Sequence, residues 1–390
     1  MTDLLSSPTY RATRGRTPIF RPQMNGEDFP ITVQEATFML GAGQHDSALL
    51  KCTSTELTTT DGMLNSTIAF YWGQAPRTEL FCGYIVNVEE VEVGKGNINF
   101  TLDVMASTQP MQAGRPRFWR SKTVPSAVQA LAYTNALGFH SHDDTYLWPA
   151  LAQTDESDWT TANLLSDRLG WSIFSRYGVV MCYDPAKLHK DQGVYTTLVS
   201  AQDQADFDPT FDRRLIEFNP QEKSKSVPSN YGFQIAYFTD NGDVQVTKQS
   251  GTFKRYKFVT NFCVNGAEEA DIYANGEASR PSSWDQSADA RMWGDSDIYP
   301  GMCVDVVTSN TRYLRQKFDG RWLVQAVGHH MDVQQFQTQL SLVRPSSTAP
   351  ITQDPYRSFW DVAGKARPTL SLQNGVWQSS WTNPTVSDVL

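Results

Sequence analysis

The sequence is short of charge. Asp, Glu, Lys and Arg make up 19% of its 390 residues, below the usual share of about a quarter. A surface not meant to face water accounts for such a deficit, because interface centres are depleted in charge. Positive charge is the scarcer sign: 33 basic against 42 acidic residues leave a formal net charge of −9. That argues against a sequence-specific nucleic-acid binder, whose footprint would be basic. It does not exclude a wall past which DNA slides, since a negative wall repels phosphates. No apolar run approaches the ~18 residues of a membrane span, so no stable membrane insertion is expected. The N-terminal stretch MTDLLSSPTYRATRGRTP lacks an apolar signal core. The expectation is a protein made in the cytoplasm that stays there or leaves within a particle.

Cysteine is sparse and scattered: Cys52, Cys82, Cys182, Cys263 and Cys303. No pair has zinc-site or redox spacing, and free buried thiols are expected. There is no Gly-x-Ser-x-Gly elbow, no Walker loop and no His-Glu-x-x-His helix. The acidic pairs Glu89-Glu90, Asp143-Asp144 and Glu268-Glu269 are adjacent in sequence. Glycoside hydrolysis needs two carboxyls facing each other across a groove, so solvated faces are the simpler reading. His140 and His142, with Asp143 and Asp144 beside them, could ligate a divalent metal. They follow a helix end and read equally as a polar loop. His329 and His330 would point to opposite faces of a strand and so cannot easily act together. No catalytic residue, metal or cofactor is assigned.

What the sequence does have is β pattern. LNSTIAFYWG, ELFCGYIVNVEEVEV and NINFTLDVMAS are rich in Val, Ile, Phe, Tyr and Thr and nearly alternate. Turn residues punctuate them at Asp61-Gly62 and at Gly94 to Gly96. TVPSAVQALAYTNALGF instead has helical spacing at Val124, Val128 and Leu131, with Pro125 suited to the first turn and Gly138 to the C-terminal cap. DWTTANLLSDRLGW predicts a second helix, capped by Asp158 or Thr160, with a Leu164, Leu165, Leu169 stripe. WSIFSRYGVVMCYDP predicts a hairpin turning at Arg176 to Gly178. NYGFQIAYFTDNGDVQVTKQ predicts another, turning at Asn241-Gly242. SSWDQSADARMWGD reads as a helix. YPGMCVDVVTS, RWLVQAVGHHMD and FQTQLSLVRP then read as strands.

The fold class is therefore mainly β (α+β): two small β-barrel domains flanking an α/β insert, with extended N- and C-terminal arms. The expected boundaries are an arm over 1–22, a first barrel over 23–108, the insert over 109–205, a second barrel over 206–345 and an extension over 346–390. Both arms are polar, and such segments fray unless tied down. Neighbouring chains are expected to hold them. Arg11, Arg14, Arg16 and Arg21 in the first arm are candidate assembly contacts. So are Trp119, Trp360, Trp377 and Trp381, because a tail without its own core would dock its tryptophans on a neighbour.

YPGMCVDVVTS and KFDGRWLVQAVGHHMDVQQFQTQLSLVRP carry a resemblance. They are similar to the phage tail-hub family that includes late control protein D and the VgrG-type spike proteins. The matching features are Pro300-Gly301 opening a strand, Gly320 with Trp322 starting the next, and His329 or His330 before Thr338 through Arg344. The segment Ala288 to Trp293 stands where that family has a helix. RFWRSKTVPSAVQALAYTNALGF resembles its helical insert and DRLGWSIFSRYGVVMCYDP its hairpin. The likeness runs in order over about residues 80–345; the N-terminal barrel matches weakly and the last 45 or so residues have no counterpart. It implies a homotrimer in which each subunit supplies two barrels, adapting a sixfold tail tube to a threefold tip. It also implies a channel for the tape-measure protein and then DNA. The implied neighbours are a distal tail or tube protein above and a spike or fibre below, and the implied location is the virion tail tip. The needle of the VgrG group has no counterpart here. A tail-associated cell-wall hydrolase and a carbohydrate- or receptor-binding tail protein are the alternatives.

Overall fold

The structure is a computed structural model. It describes residues 19–57, 59–74, 77–94, 97–191, 193–200, 212–222, 231–239, 241–248, 255–259, 264, 266–308, 318–333, 335–345 and 366–381. The first β unit comprises β1 (Ile19–Met24), β2 (Glu27–Asp28), β3 (Thr32–Gly41), β4 (Ser47–Ser54), β5 (Thr67–Gln74), β6 (Arg77–Gly94) and β7 (Asn97–Ala106). Alternation drives it. In β7 every second residue from Ile98 to Ala106 is buried and those between are not, the signature of a sheet with one face on a core. The sheet curls around aromatic rings, with Phe38 stacked on Trp72 at 4.0 Å and Phe70 on Phe81 at 5.2 Å between centroids. The expected N-terminal arm is shorter than 22 residues: β1 is already paired to β5, with Arg21 opposite Tyr71.

The insert follows as β8 (Arg117–Lys122), α1 (Val124–Thr134), β9 (Gly138–Ser141), β10 (Trp148–Gln153), α2 (Asp158–Asp167), β11 (Ser172–Arg176), β12 (Val179–Tyr183) and α3 (Pro185–Asp191). Thr123 caps α1 and Ser157 caps α2 through their side chains, so the α2 cap lies one residue before Asp158. Helix α1 ends at Asn135 rather than at Gly138, which begins a strand. The β11–β12 hairpin turns through Tyr177 and Gly178, both left-handed, as a two-residue turn between twisted strands requires. In the α2 stripe Leu165 is buried, whereas Leu164 is exposed.

The second β unit contains β13 (Val194–Ser200), β14 (Asp212–Glu222), β15 (Tyr231–Phe238), β16 (Val244–Lys248), β17 (Arg255–Val259), α4 (Ala267–Ser279), β18 (Gln286–Trp293), β19 (Cys303–Val307), β20 (Gly320–Asp332) and β21 (Phe336–Arg344). Six of these strands run β19-β13-β14-β18-β21-β20, and β20 returns to β19, closing a six-stranded barrel. The barrel takes in Val194–Ser200, which the sequence reading left in the insert. The predicted helix over SSWDQSADARMWGD is corrected: Gln286–Trp293 is a strand, and the helix lies earlier, at Ala267–Ser279. The reason is period. Gln286, Ala288, Ala290 and Met292 are buried while Ser287, Asp289, Arg291 and Trp293 are not, so small alanines face a tightly curved barrel interior.

Strands β15 to β17 with α4 form an excursion from this barrel. Ile235, Ala270 and Tyr273 join the same core as Val128, Leu131 and Trp159 of the insert. Gly276 is tolerated inside α4 because a Cβ there would lie 2.8 Å from the Gly170 nitrogen; helix and loop meet backbone to backbone. Strand β20 joins the two β units. Its first half pairs with β19 and its second, from Ala326 to Asp332, with β3, with a register shift between Val324 and Ala326. Thirteen of the described strands thus belong to one hydrogen-bonded sheet. No helix among the described residues is long and apolar enough to cross a membrane.

Candidate assembly interface

A buried polar junction ties the parts together. Glu79 on β6 is 3% exposed. Its Oε2 accepts from Arg176 Nη2 of the insert at 3.1 Å and from Arg367 Nη2 of the C-terminal segment at 2.6 Å. Both guanidiniums lie on Tyr177, at 4.7 and 4.1 Å from its centroid, and Arg176 also covers Tyr299 of the second β unit. Burial pushes the Glu79 carboxyl up to about 7 while the two arginines pull it down. Asp46 is raised to about 7 by the same cause, opposed by Arg176. A buried carboxylate is tolerable when it is paired and hydrogen-bonded, and here two cations satisfy it.

The C-terminal extension is not a loose arm over its described part. β22 (Leu370–Gln373) and β23 (Val376–Ser379) form a hairpin that lies on the first β unit and the insert. Trp377 Nε1 donates to the Gly83 carbonyl at 2.9 Å and Trp377 N–H to the Tyr84 hydroxyl at 3.0 Å. This corrects the expectation that the tail tryptophans lack a local core. Trp377 is buried on its own chain, beside Ala69, Cys82 and Tyr84. Trp381 is half-buried, stands 6.0 Å from the His140 ring and donates to the Ala366 carbonyl. Trp119 is half-buried against the insert core. Arg21 lies on β1. Arg11, Arg14, Arg16 and Trp360 fall outside the described residues, as does Cys263; the other four cysteines are free and buried.

The histidines have structural partners. Tyr183 meets His140 Nδ1, and the Asp184 N–H donates to His142 Nδ1 at 3.0 Å. Burial pushes His142 down to about 4. Among the described residues no group of three or more His, Cys, Asp or Glu side chains is placed to hold a metal. His329 is buried with Nδ1 3.0 Å from Thr338 Oγ1, while His330 faces outward, as opposite strand faces require.

This architecture has known counterparts. The chain is similar to the tail protein from Neisseria meningitidis MC58 (TM-score 0.57, 11% identity, covering 84% of this chain and 97% of that one). It is similar to the 43 kDa tail protein of prophage MuSo2 from Shewanella oneidensis (TM-score 0.61, 11% identity, 85% and 99% covered). The chain shares its fold with phage tail proteins. It is also similar to the E. coli c3393 protein, a type VI secretion component described as resembling the T4 tail proteins gp27 and gp5 (TM-score 0.58, 13% identity, 87% and 79% covered). No family model and no curated protein matches the sequence.

Two surfaces of this tail-protein fold escaped sequence reasoning. Residues 114–122, GRPRFWRSK, hold four cations and no acid; the alternation of β8 that would have exposed them was masked by Pro116 and the following helix signal. Arg117 turns inward to Asp158 at 2.5 Å and Gln153 at 2.7 Å. Phe118, Arg120 and Lys122 are exposed, with Arg120 5.4 Å from the Phe118 ring centroid. The other surface is the outer part of β6, where pairing to β5 stops at Tyr84 and β6 runs on to Gly94.

Proposed function

We propose that this chain is a structural subunit of a bacteriophage tail tip, a baseplate hub of the kind that late control protein D and VgrG-type proteins exemplify. In this reading three copies form a ring, two β units per copy present six similar faces to a sixfold tube, and the lumen passes the tape-measure protein and then DNA during ejection. A distal tail or tube protein lies above and a spike or fibre below. Closed rings arise from heterologous contacts whose rotation closes. Arg11, Arg14, Arg16, Arg21, Trp119, Trp360 and Trp381 remain the proposed assembly contacts; Trp377 is withdrawn because its own chain buries it. The divisions near residues 108 and 345 remain the proposed unit boundaries, with the first moved to before Ile19 and Val194–Ser200 moved to the second unit.

The observation that carries the reading is the architecture itself. One hydrogen-bonded sheet links a curled β unit to a closed barrel, with an α/β module standing off the side, and the tail proteins share that arrangement over most of their length. The test is a density map of the assembled tail tip together with the mass of the purified chain. A threefold ring at the tip is expected. A protein that stays monomeric and is absent from the particle would sink the reading, and so would release of muropeptides from peptidoglycan, which would favour the hydrolase.

A further inference from the structure

We propose that the face beneath the β22–β23 hairpin is a docking site for which that hairpin is a separable ligand, so that one copy's hairpin can fill the site of another. The inference does not depend on the ring reading. Two units build the site. The first β unit supplies Glu79, the Gly83 carbonyl, the Tyr84 hydroxyl and the apolar side chains of Ala69 and Cys82. The insert supplies the Ala136 carbonyl, which accepts from the Ser379 N–H at 3.3 Å, and the bare backbone of Gly138. A Cβ at Gly138 would lie 2.8 Å from the Trp381 Cβ and 3.0 Å from both Ser379 Oγ and Val179 Cγ2. Gly138 is not in a left-handed conformation, so its bareness serves close approach, and two of the three atoms that approach belong to the hairpin.

The ligand is self-contained. Asn374 and Gly375, both left-handed, join β22 to β23 through a two-residue turn of the kind that such pairs favour. Among the described residues β22 and β23 pair only with each other. A hairpin built into the frame would extend one of its sheets; this one leaves without breaking a ladder. It carries one charged and one aromatic anchor, Arg367 on Glu79 and Trp377 against Ala69, Cys82 and Tyr84. Arginine and tryptophan are the side chains that most often dominate binding faces.

The site is prepared for the hairpin to leave. A buried carboxylate stripped of its partner is strongly destabilising, but Glu79 keeps Arg176 at 3.1 Å when Arg367 departs. Arg176 is itself held over Tyr177 and Tyr299. The connection is long as well. β21 ends at Arg344, opposite Gln286 at the start of β18. Arg176 donates to the Ser296 carbonyl at 3.4 Å, beyond the far end of β18. The chain must return along about the length of that strand, roughly 23 Å at ~3.3 Å per residue. The 20 residues from 346 to 365 extend to about 66 Å, which leaves reach for a neighbouring copy. Exchange of an identical element between copies keeps every contact and costs little.

The test uses the full chain with its own hairpin disabled by Arg367→Ala/Trp377→Ala, its fold checked by far-UV circular dichroism. A fluorescent peptide of residues 366–381 should bind this variant saturably, and about tenfold or more tightly than it binds the wild-type chain, whose site is filled. Glu79→Gln added to the variant should weaken the peptide by about tenfold, since a bond between charged groups is lost. An isolated hairpin is marginal in water, so a second measurement needs no peptide. Chains carrying Gly138→Cys are mixed with chains carrying Trp381→Cys under mild oxidation. The two Cβ positions come within disulfide range once the hairpin gives by about an ångström. Exchange then yields an interchain disulfide joining positions 138 and 381, identified by mass spectrometry. If the folded variant takes no peptide and the mixture yields no such bond, the hairpin is a fixed part of its own chain and the proposal falls. The ring reading stands either way, because the assembled particle decides it.

Discussion

Four of the six strand pairings within the first β unit join consecutive strands, whereas only three of the six that close the barrel do. β3–β4, β5–β6 and β6–β7 pair in sequence order. In the barrel β13 lies parallel to both β14 and β19, and a module of three strands and a helix interrupts the run between β14 and β18. Their closure differs too. Backbone hydrogen bonds close the second unit; the first is filled by stacked rings and borrows β20 as its edge neighbour. Local pairing costs little loop entropy, while distant pairing is slow and must be supported by a well-fitted core.

Removing the aromatic filling should break that contrast hardest. Trp72→Ala takes away the ring that stacks on Phe38 and meets His329 edge-on at 4.8 Å. A loss of about 3–5 kcal/mol is expected, read as a lower midpoint in denaturant, with hydrogen exchange rising first in β3 and β5. Glu79→Gln comes next, at ~3 kcal/mol, since it leaves two guanidiniums facing each other. Limited proteolysis should then cut the 366–381 hairpin sooner; an unchanged cutting rate would mean that Trp377 alone holds it.

The pH dependence sharpens the comparison at the seam. Burial, helped by Arg176, holds His329 down to about 3, below its ordinary 6.5. The unfolded chain therefore binds this proton first. The contribution is full above about pH 6.5 and is lost as pH falls toward about 3. His329→Gln should flatten that part of the stability curve, and an equally steep curve in the variant would assign the slope to other groups. The smallest effect, ~1–2 kcal/mol, is expected for Gly276→Ala. In an open helix that change stabilises by ~0.5–1 kcal/mol, so a raised melting temperature would show that the approach to Gly170 is looser than described.

Much of this was legible in the sequence where the signal is local. The Asn241-Gly242 turn and the β11–β12 hairpin follow from turn chemistry, and α1 and α2 from spacing and caps. Gln286–Trp293 misled because alanine favours helices in isolation; the need for small residues inside a narrow barrel outweighs that preference. Helix α4 was hidden by Asn275 and Gly276, and the glycine makes sense only beside Gly170. Glu79, Arg176 and Arg367 meet from three distant segments, and nothing local announces their meeting. The basic ribbon was hidden because its short strand was read together with the helix signal that follows it.

The strand that spans both halves has a practical consequence. Cutting the chain at the boundary between the two β units would strip β3 of its neighbour and leave a row of bare amide and carbonyl groups along the cut. Neither half could be borrowed, swapped or expressed alone without a substitute strand, so insertions and exchanges are expected to concentrate in the side module and leave the two-unit frame intact.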